Sequence, residues 1–532
     1  MFMLLDPLTA SSGSSPGVRG YQQAGENAGP KSTQPANLRR TPRILKLLDD
    51  MSVKAGKDAG TATHMEDTAI NGDEKIKQGD YAGAVQKTDK AEIALVRKLD
   101  MRIMPALFCM YFLNKLDQNA LANAKLNTLE KDLKLQGTQY NTAISILYVG
   151  YLFMQIPSNM LLSSRKVRPS VYMSVCMMIW AGVAAATAGV NNYTGLVLVR
   201  FFLGAVEAPF YPGALYILSL FYTRKEIATR VSILYAGNIV AVAFAGLIAA
   251  ATFSTLDGAH GLAGWRWLFI VEGAVTFGVA FFTMYMLPDY PNNTRWLTVD
   301  ERELAEGRIR KDTAGLEESK GVRAGFFEAI RDPRIYLFAL MQNMHLNATS
   351  FNQFFPSVVK ALQFDSVVTL LLTSPPTIFA GAFGILVGWS SGRYNERTWH
   401  ITICMGVAMV GFIISCLTLN IAARYIACFL FASGVYSVNS VILGWVSATL
   451  GQTPEKKAVS LSLVNVVSMA SFIYTPYLYP NSDAPKYVIA MSSNACFSFV
   501  TIAAAWGMKI WLLRTNKRLK VEDPYSTVFY AY

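Results

Sequence analysis

Hydrophobic and polar positions divide the sequence into a polar beginning and a much longer apolar region. Residues 1–95 mix Ser, Gly, Pro, Gln and charged residues, whereas residues 103–513 carry one apolar run after another. Many of these runs reach about 20 residues, which as a helix spans the roughly 30 Å hydrocarbon core of a bilayer. Backbone groups in lipid must be paired within their own segment, so helices are predicted rather than strands. The pattern predicts an all-α polytopic membrane protein.

About twelve transmembrane helices are predicted, in a six-helix half at 96–288 and a second at 334–513. Two such halves are typical of transporters that bind their solute at the midplane between related bundles. The beginning, 1–95, is too polar to bury a core and is predicted to be a disordered cytosolic tail. The loop 289–333 and the tail 514–532 are also predicted to be cytosolic. The predicted spans are 103–124, 139–162, 169–189, 194–216, 230–252, 266–287, 334–357, 367–389, 399–419, 422–445, 458–479 and 487–512.

Composition excludes several classes of protein. Only 16% of the 532 residues are charged, whereas a soluble domain carries about a quarter, which argues against a soluble multidomain enzyme. The net charge of +12 comes from basic residues in tails and alternate loops, so nucleic-acid binding is not expected. The six cysteines are scattered without CxxC spacing, so no metal site or disulfide framework is predicted. We expect no cofactor and no enzymatic activity.

Basic residues also predict the orientation in the membrane. Arg224 and Lys225 follow the fourth span and Arg393 follows the eighth, whereas the loop 253–264 has no Lys or Arg. By the positive-inside rule, both termini and the loop 289–333 face the cytosol. The expected location is the plasma membrane.

Four ionisable residues stand out inside the predicted spans: Asp117, Arg200, Glu207 and Glu272. A charge at the centre of a span costs at least about 2.5–3.5 kcal/mol, so each needs a partner or a task. Asp117 and Arg200 are predicted at similar depth, where they could form an ion pair. Glu207 follows Arg200 by two helical turns on the same face. Glu272 lies beside Trp265 and is predicted to be a structural residue at the interface.

This order of acid, guanidinium and acid favours a transport path through the first half. Asp117 and Glu207 are predicted to couple protons, because a carboxyl removed from water takes up a proton more readily. Arg200 keeps its charge and is predicted to bind an anionic substrate. The alternative is a buried ion pair with a protonated Glu that only fixes helix packing.

The seventh span is unusually polar for a membrane helix. Asn343, His345 and Asn347 lie within it among further amides, which predicts a face that lines a wet cavity. Tyr436 and Asn439 in the tenth span are predicted to join them as substrate-binding residues. A hydrogen-bonded packing role for His345 is the alternative.

Longer motifs resemble one transporter family. RFFLGAVEAPFYPGALYILSLFYTRKE (200–226), GLAGWRWLFIVEG (261–273) and LPDYPNNTRWLTVDERELAEGRI (287–309) are similar to the major facilitator superfamily. More narrowly, they resemble the fungal allantoate-permease branch of the anion:cation symporters. The resemblance covers about residues 90–520. It implies twelve helices, alternating access and commonly proton-driven uptake of small organic anions such as allantoate, nicotinate or other vitamins. It also implies that Asp117, Arg200 and Glu207 match the family's acidic, substrate and proton-coupling positions.

One departure from the family concerns the first helix, where Asp-Arg is frequent and this chain has Asp117-Gln118. Gln118 is predicted to contact substrate, and the loss of a cation there opens the site to neutral or zwitterionic solutes. The predicted function is proton-coupled symport of a small organic anion or carboxylate by a monomer in the bilayer. The alternative is an efflux transporter of a fungal secondary metabolite or drug. A nutrient receptor is disfavoured, since neither the tail nor the loop 289–333 resembles a large folded domain.

Overall fold

The computed structural model describes residues 89–163, 167–313, 321–394, 396–450, 454–522 and 530. Every regular element in these ranges is a helix, in agreement with the predicted all-α class. Most of the predicted N-terminal tail, residues 1–88, lies outside the described residues, as do 314–320 of the central loop and most of 523–532.

The first half contains seven long helices. Helix α1 begins at Lys90, inside the segment predicted as tail, because the Asp89 side chain caps it by accepting a hydrogen bond from the Ala91 amide at 2.9 Å. The predicted fourth span is divided into α4 and α5 at Ala208 and Pro209, where proline cannot continue the helical hydrogen bonds. The helices are α1 Lys90–Ala124, α2 Gln139–Ser163, α3 Pro169–Ala186, α4 Tyr193–Glu207, α5 Phe210–Phe221, α6 Arg224–Leu256 and α7 Gly264–Met286.

The central segment and the second half contain eight more. After α10, the predicted seventh span continues through the 3₁₀ turn Ser350–Phe354 and the short helix Phe355–Lys360. Another short helix of the second half is Ser471–Tyr474, and the first half has one at Leu129–Asp132. The long helices are α8 Val299–Thr313, α9 Gly321–Arg331, α10 Arg334–Thr349, α11 Ser366–Tyr394, α12 Thr398–Leu417, α13 Ile421–Thr449, α14 Pro454–Met469 and α15 Val488–Glu522.

Nine helical segments of the described residues are long and apolar enough to cross a bilayer. The other three predicted spans, 103–124, 139–162 and 334–357, also form helices, and they carry buried polar side chains such as Asn114, Asn141 and Gln342. Large apolar side chains point outward in both halves, with Phe153, Phe282, Ile385 and Leu417 more than half exposed. An exposed apolar surface of this extent suits lipid rather than water. The protein is an integral membrane protein.

Helices α2 and α4 pack unusually closely. A side chain added at Gly204 would collide with the backbone carbonyl of Leu147, and one at Gly150 would collide with that of Phe201. Small residues allow such close approach between membrane helices. This packing fixes the end of α4, where Glu207 is the last helical residue.

Ion pairs tie the central segment to the first half. Arg308 of α8 donates from Nη2 to both carboxylate oxygens of Glu226 at 2.7 Å, and from Nε to Glu92 at 2.8 Å. Lys98 of α1 contacts Glu301 at 2.7 Å. The beginning of α1, the beginning of α6 and the central helix α8 therefore share one end of the molecule, which we call the terminal end.

A second ionic cluster precedes α10. Asp332 accepts hydrogen bonds from Arg334 at 2.6 Å and from Lys456 at 2.8 Å. Burial alone would raise the pKa of the Asp332 carboxyl, but these two cations lower the pKa to about 2. The cluster joins the beginning of α10 to α14.

The two halves also meet at the opposite end, which we call the closed end. Asn141 of α2 donates to the carbonyls of Pro476 at 2.8 Å and Tyr479 at 3.3 Å. Tyr479 stacks on Phe354 with ring centroids 4.2 Å apart. Lys125 of the first half donates to Asn481 at 2.9 Å. The closed end is the end that the charge pattern predicts to face away from the cytosol.

Candidate functional site

A polar cavity of about 160 Å³ lies between the two halves. In the part of the chain that the structure describes, its wall is formed by α1, α2, α4, α5 and α6 on one side and by α10, the turn after it, α13 and α14 on the other. The wall contains nine Asn or Gln side chains and six tyrosines. It therefore offers many hydrogen-bonding groups together with flat aromatic surfaces, as in sites for small organic molecules.

Two charged side chains of the first half reach the cavity, and an amide connects them. Gln118 donates from Nε2 to Oε2 of Glu207 at 2.6 Å, and its Oε1 accepts from Nζ of Lys115 at 2.8 Å. Glu207 is 1% exposed. Its second oxygen, Oε1, has no hydrogen-bond partner within the described residues. The carboxyl group is thus held through one oxygen, while the other is unpartnered among the described residues.

The second half supplies neutral polar groups. His345 contacts the Val435 carbonyl through Nε2 at 2.9 Å, while its buried Nδ1 is unpartnered among the described residues. Asn439 accepts from Gln342 at 2.8 Å and donates across the cavity to the Tyr235 hydroxyl of α6 at 3.0 Å. The Tyr436 hydroxyl also lacks a partner in the described ranges. These groups can bind hydrogen-bonding parts of a solute.

Five of the nine predicted site residues therefore line the cavity: Gln118, Glu207, His345, Tyr436 and Asn439. The other four, Asp117, Arg200, Asn343 and Asn347, are not part of its wall in this conformation.

Asp117 points into the first half instead. Its Oδ2 accepts from the Trp180 indole of α3 at 3.2 Å, and its other oxygen lacks a hydrogen bond within the described residues. Glu272 of α7 is near enough for the two carboxyls to interact electrostatically. Glu272 is only 2% exposed, and its structural role at the interface stays a prediction. Its position on the inward face of α7, against α1, explains the burial.

Arg200 is also buried in the first half. Its Nε approaches the Ala143 carbonyl of α2 at 3.4 Å, and its Nη1 has no hydrogen-bond partner among the described residues. The predicted ion pair with Asp117 is not formed between these two side chains, because Asp117 turns towards Trp180 while Arg200 turns towards α2. Arg200 lies behind the cavity wall, on the α2 side.

Asn343 and Asn347 join helices of the second half. Asn343 donates to the Val467 carbonyl at 2.9 Å and accepts from the Tyr474 hydroxyl at 2.9 Å. Asn347 donates to Asn343 at 3.3 Å. Their amides connect α10 to α14 and to the short helix after it, whereas Gln342 and His345 on the same helix line the cavity.

The sequence interpretation missed Lys115 and most of the tyrosines. Lys115 lies within the predicted first span, three residues before Gln118, so its position in lipid could have drawn attention to it. The aromatic wall had no comparable signal, because tyrosines at helical spacing are also common in packed interiors and at membrane interfaces.

Two bundles of membrane helices around a central polar cavity define a secondary transporter. Residues 107–476 match the model of the Major Facilitator Superfamily, and the chain belongs to that family. It is 31% identical over 427 residues to the MFS-type transporter efuF of Hormonema carpetanum, covering 79% of this chain and 85% of the relative. It is also 31% identical over 441 residues to the major facilitator-type transporter hxnP of Emericella nidulans, covering 82% and 88%.

Solved structures agree on the fold. A bacterial homolog of the human lysosomal transporter Spinster aligns with a TM-score of 0.63 at 16% identity, over 77% of this chain and 97% of that one. The predicted major facilitator fold is confirmed, and the protein is a transporter rather than an enzyme. The narrower allantoate-permease branch stays a prediction.

Proposed function

We propose that this transporter takes up a small organic anion of the carboxylate class, such as an allantoate-, nicotinate- or other vitamin-like acid, by proton-coupled symport at the plasma membrane. The observation that carries the proposal is Glu207, a buried carboxyl in the wall of the cavity with one oxygen unpartnered within the described residues. A carboxyl there can bind a proton from the same space that receives the solute. Proton and solute would then cross together by alternating access.

Asp117 is the second proposed proton site. Its carboxyl is buried beside Glu272 without a cation in hydrogen-bonding distance among the described residues. Two neighbouring buried acids cannot both ionise readily, so one of them holds a proton. Because α1 also carries Gln118 of the cavity wall, a change of charge at Asp117 can move the helix that contacts the solute.

Export of a neutral secondary metabolite or drug is the second candidate function. The nine amides and six tyrosines of the wall favour it, because they suit an uncharged solute as well as an acid. Import and export differ in the direction of net solute movement relative to the proton gradient, which can be measured.

The test uses the full chain in yeast cells that lack their own carboxylate permeases. A panel of labelled carboxylates is offered in unbuffered medium, and we expect accumulation together with alkalinisation of the medium. Glu207→Gln should abolish accumulation and alkalinisation while exchange of solute across the membrane continues. The matched control is Glu303→Gln, the same substitution at an exposed position of α8.

Three outcomes would count against the proposal. Accumulation that stays pH-dependent in Glu207→Gln at normal surface expression would remove Glu207 from the coupling step. Solute movement out of the cell against its gradient would favour the export function. Accumulation without any proton movement would exclude proton symport altogether.

A further inference from the structure

Lys115 is a cation in the wall of the cavity with no role in the function proposed above. It lies on α1, and its ammonium group donates to the Gln118 side chain at 2.8 Å. Among the described residues Gln118 is its only hydrogen-bond acceptor, so an ammonium group with three N–H bonds has two left for a ligand. A lysine within a membrane span is costly unless it is matched by an opposite charge.

The charge opposite Lys115 is held at a distance by an amide. Lys115 and Glu207 form no direct ion pair within the described residues; Gln118 stands between them. An ammonium group can only donate, so the amide oxygen of Gln118 must face Lys115 and its NH₂ group must face Glu207. That orientation suits an ionised Glu207, which accepts at 2.6 Å.

Protonation of Glu207 changes the charge of the cavity. With Glu207 ionised, Lys115 and Glu207 together contribute no net charge to the wall. Once Glu207 takes up a proton, Lys115 is left as the only formal charge on the described lining residues, if the histidine is neutral. A cation in a space of low dielectric attracts an anion strongly. Proton binding therefore prepares the cavity for a carboxylate, and the carboxylate in turn favours the proton.

The surroundings of Lys115 indicate what kind of acid fits. Its ammonium lies 5.6 Å from the centre of the Tyr111 ring, and the other tyrosines of the wall are Tyr148, Tyr151, Tyr211, Tyr235 and Tyr436. Aromatic faces pack well against flat apolar or π-bonded groups. The amides of the second half can bind ring nitrogens or carbonyls of the same solute.

We propose that Lys115 is the residue that receives the carboxylate of the solute, with the flat body of the solute packed among the cavity tyrosines. This assigns to Lys115 the anion-binding role that the sequence had predicted for Arg200, which lies behind the wall. The inference rests on the proposed function, because a carboxylate site serves transport only if the solute taken up is a carboxylate. The binding step itself can be measured without transport.

The experiment measures binding to the purified full-length protein with pairs of ligands that differ only in the acidic group. The probes are nicotinate with nicotinamide and benzoate with benzamide. A charge-assisted hydrogen bond corresponds to about tenfold or more in affinity, so we expect the wild type to prefer an acid over its amide by about that factor. Lys115→Met should remove the preference and leave binding of the amide, and Lys115→Arg should keep the preference.

Two further variants test the geometry and the coupling. Because the end of the Gln118 side chain lies beside the ammonium group, the double variant Lys115→Met with Gln118→Arg should restore the preference for the acid. Glu207→Gln imitates the protonated carboxyl, so it should bind the acid as tightly in mildly alkaline buffer as the wild type does in mildly acidic buffer. Lys131→Met, at an exposed lysine, is the control for loss of one positive charge.

The inference is overturned if the wild type prefers neither acid over its amide, or if a folded Lys115→Met protein keeps the preference. Failure of the proposed function gives a different result. If the preference depends on Lys115 while uptake remains pH-dependent in Glu207→Gln, the anion site stands and Glu207 is excluded from proton coupling. If the melting temperature of Lys115→Met is lowered, it would be compared with the melting temperature of Lys115→Arg, which keeps the charge.

Discussion

Removing the Asn141 side chain should open the closed end of the transporter. In the described conformation this buried amide donates to the carbonyls of Pro476 and Tyr479 at 2.8 and 3.3 Å, across the boundary between the halves. A neutral hydrogen bond contributes about 0.5–1.5 kcal/mol, so Asn141→Ala should weaken this conformation by about 2 kcal/mol. Every 1.4 kcal/mol is tenfold in population. We therefore expect roughly 30-fold more molecules with this end open.

The assay follows the entry of a thiol reagent into the cavity. A cysteine replaces Asn352, which lines the cavity, in a background without the six native cysteines, and an impermeant maleimide is applied from the side of the closed end. Its labelling rate should rise with the open population. Asn192→Ala is the control, because Asn192 caps α4 by accepting from the Gly195 amide. An unchanged labelling rate, or an equal rise in the control, would refute the assignment of Asn141 as a contact that holds this end closed.

Two further predictions concern stability. Gly204→Val should lower surface expression and melting temperature, because the new side chain meets the Leu147 carbonyl and overpacking costs about 1–3 kcal/mol or more. The control is Gly278→Val, which should have little effect because nothing lies within 4 Å of the added Cβ. Equal losses in the two variants would contradict the reasoning. Asp332→Asn should lower the melting temperature at neutral pH by a few degrees. Since the pKa of the Asp332 carboxyl is about 2 in the folded protein, below its unfolded value of about 3.9, the stabilisation is present above the unfolded pKa and is lost as the pH falls towards 2. When the buffer is acidified, the melting temperature of the variant should therefore fall less than that of the wild type. Parallel curves of melting temperature against pH would show that Arg334 and Lys456 do not stabilise the ionised Asp332 carboxyl.

The fold could be predicted from the sequence because membrane spans follow from run length and apolarity. The break between α4 and α5 follows from Pro209, since proline lacks the N–H that the helix would need. The extension of the first helix to Lys90 was not recognised, because the polar residues near Asp89 resemble the tail before them.

The cavity could be predicted only in part. Its chemistry was visible in the amides of the seventh span and in Glu207. Which of them face the cavity depends on helix rotation: Asn343 and Asn347 turn towards α14 and the helix after it, while Gln342 and His345 reach the wall. The pairing of Asp117 was predicted from depth alone. In the structure Asp117 instead accepts a hydrogen bond from the Trp180 indole of α3, a contact that depth along the span does not reveal.

The modest apolarity of α1 has a consequence for biogenesis. Helices reach the translocon in chain order, and α1 brings Lys115 and Asp117 with it. On insertion scales each such charge opposes membrane insertion by about 2.5–3.5 kcal/mol, while a leucine-like residue favours it by only about 0.3–0.6 kcal/mol. We therefore expect α1 to settle fully in the bilayer only when α3 and α7 arrive to enclose Asp117. Helix α13 is more apolar than α1, so new charges that alter solute specificity should be tolerated better on α13 than on α1. Membrane insertion therefore limits where this transporter can acquire a new specificity.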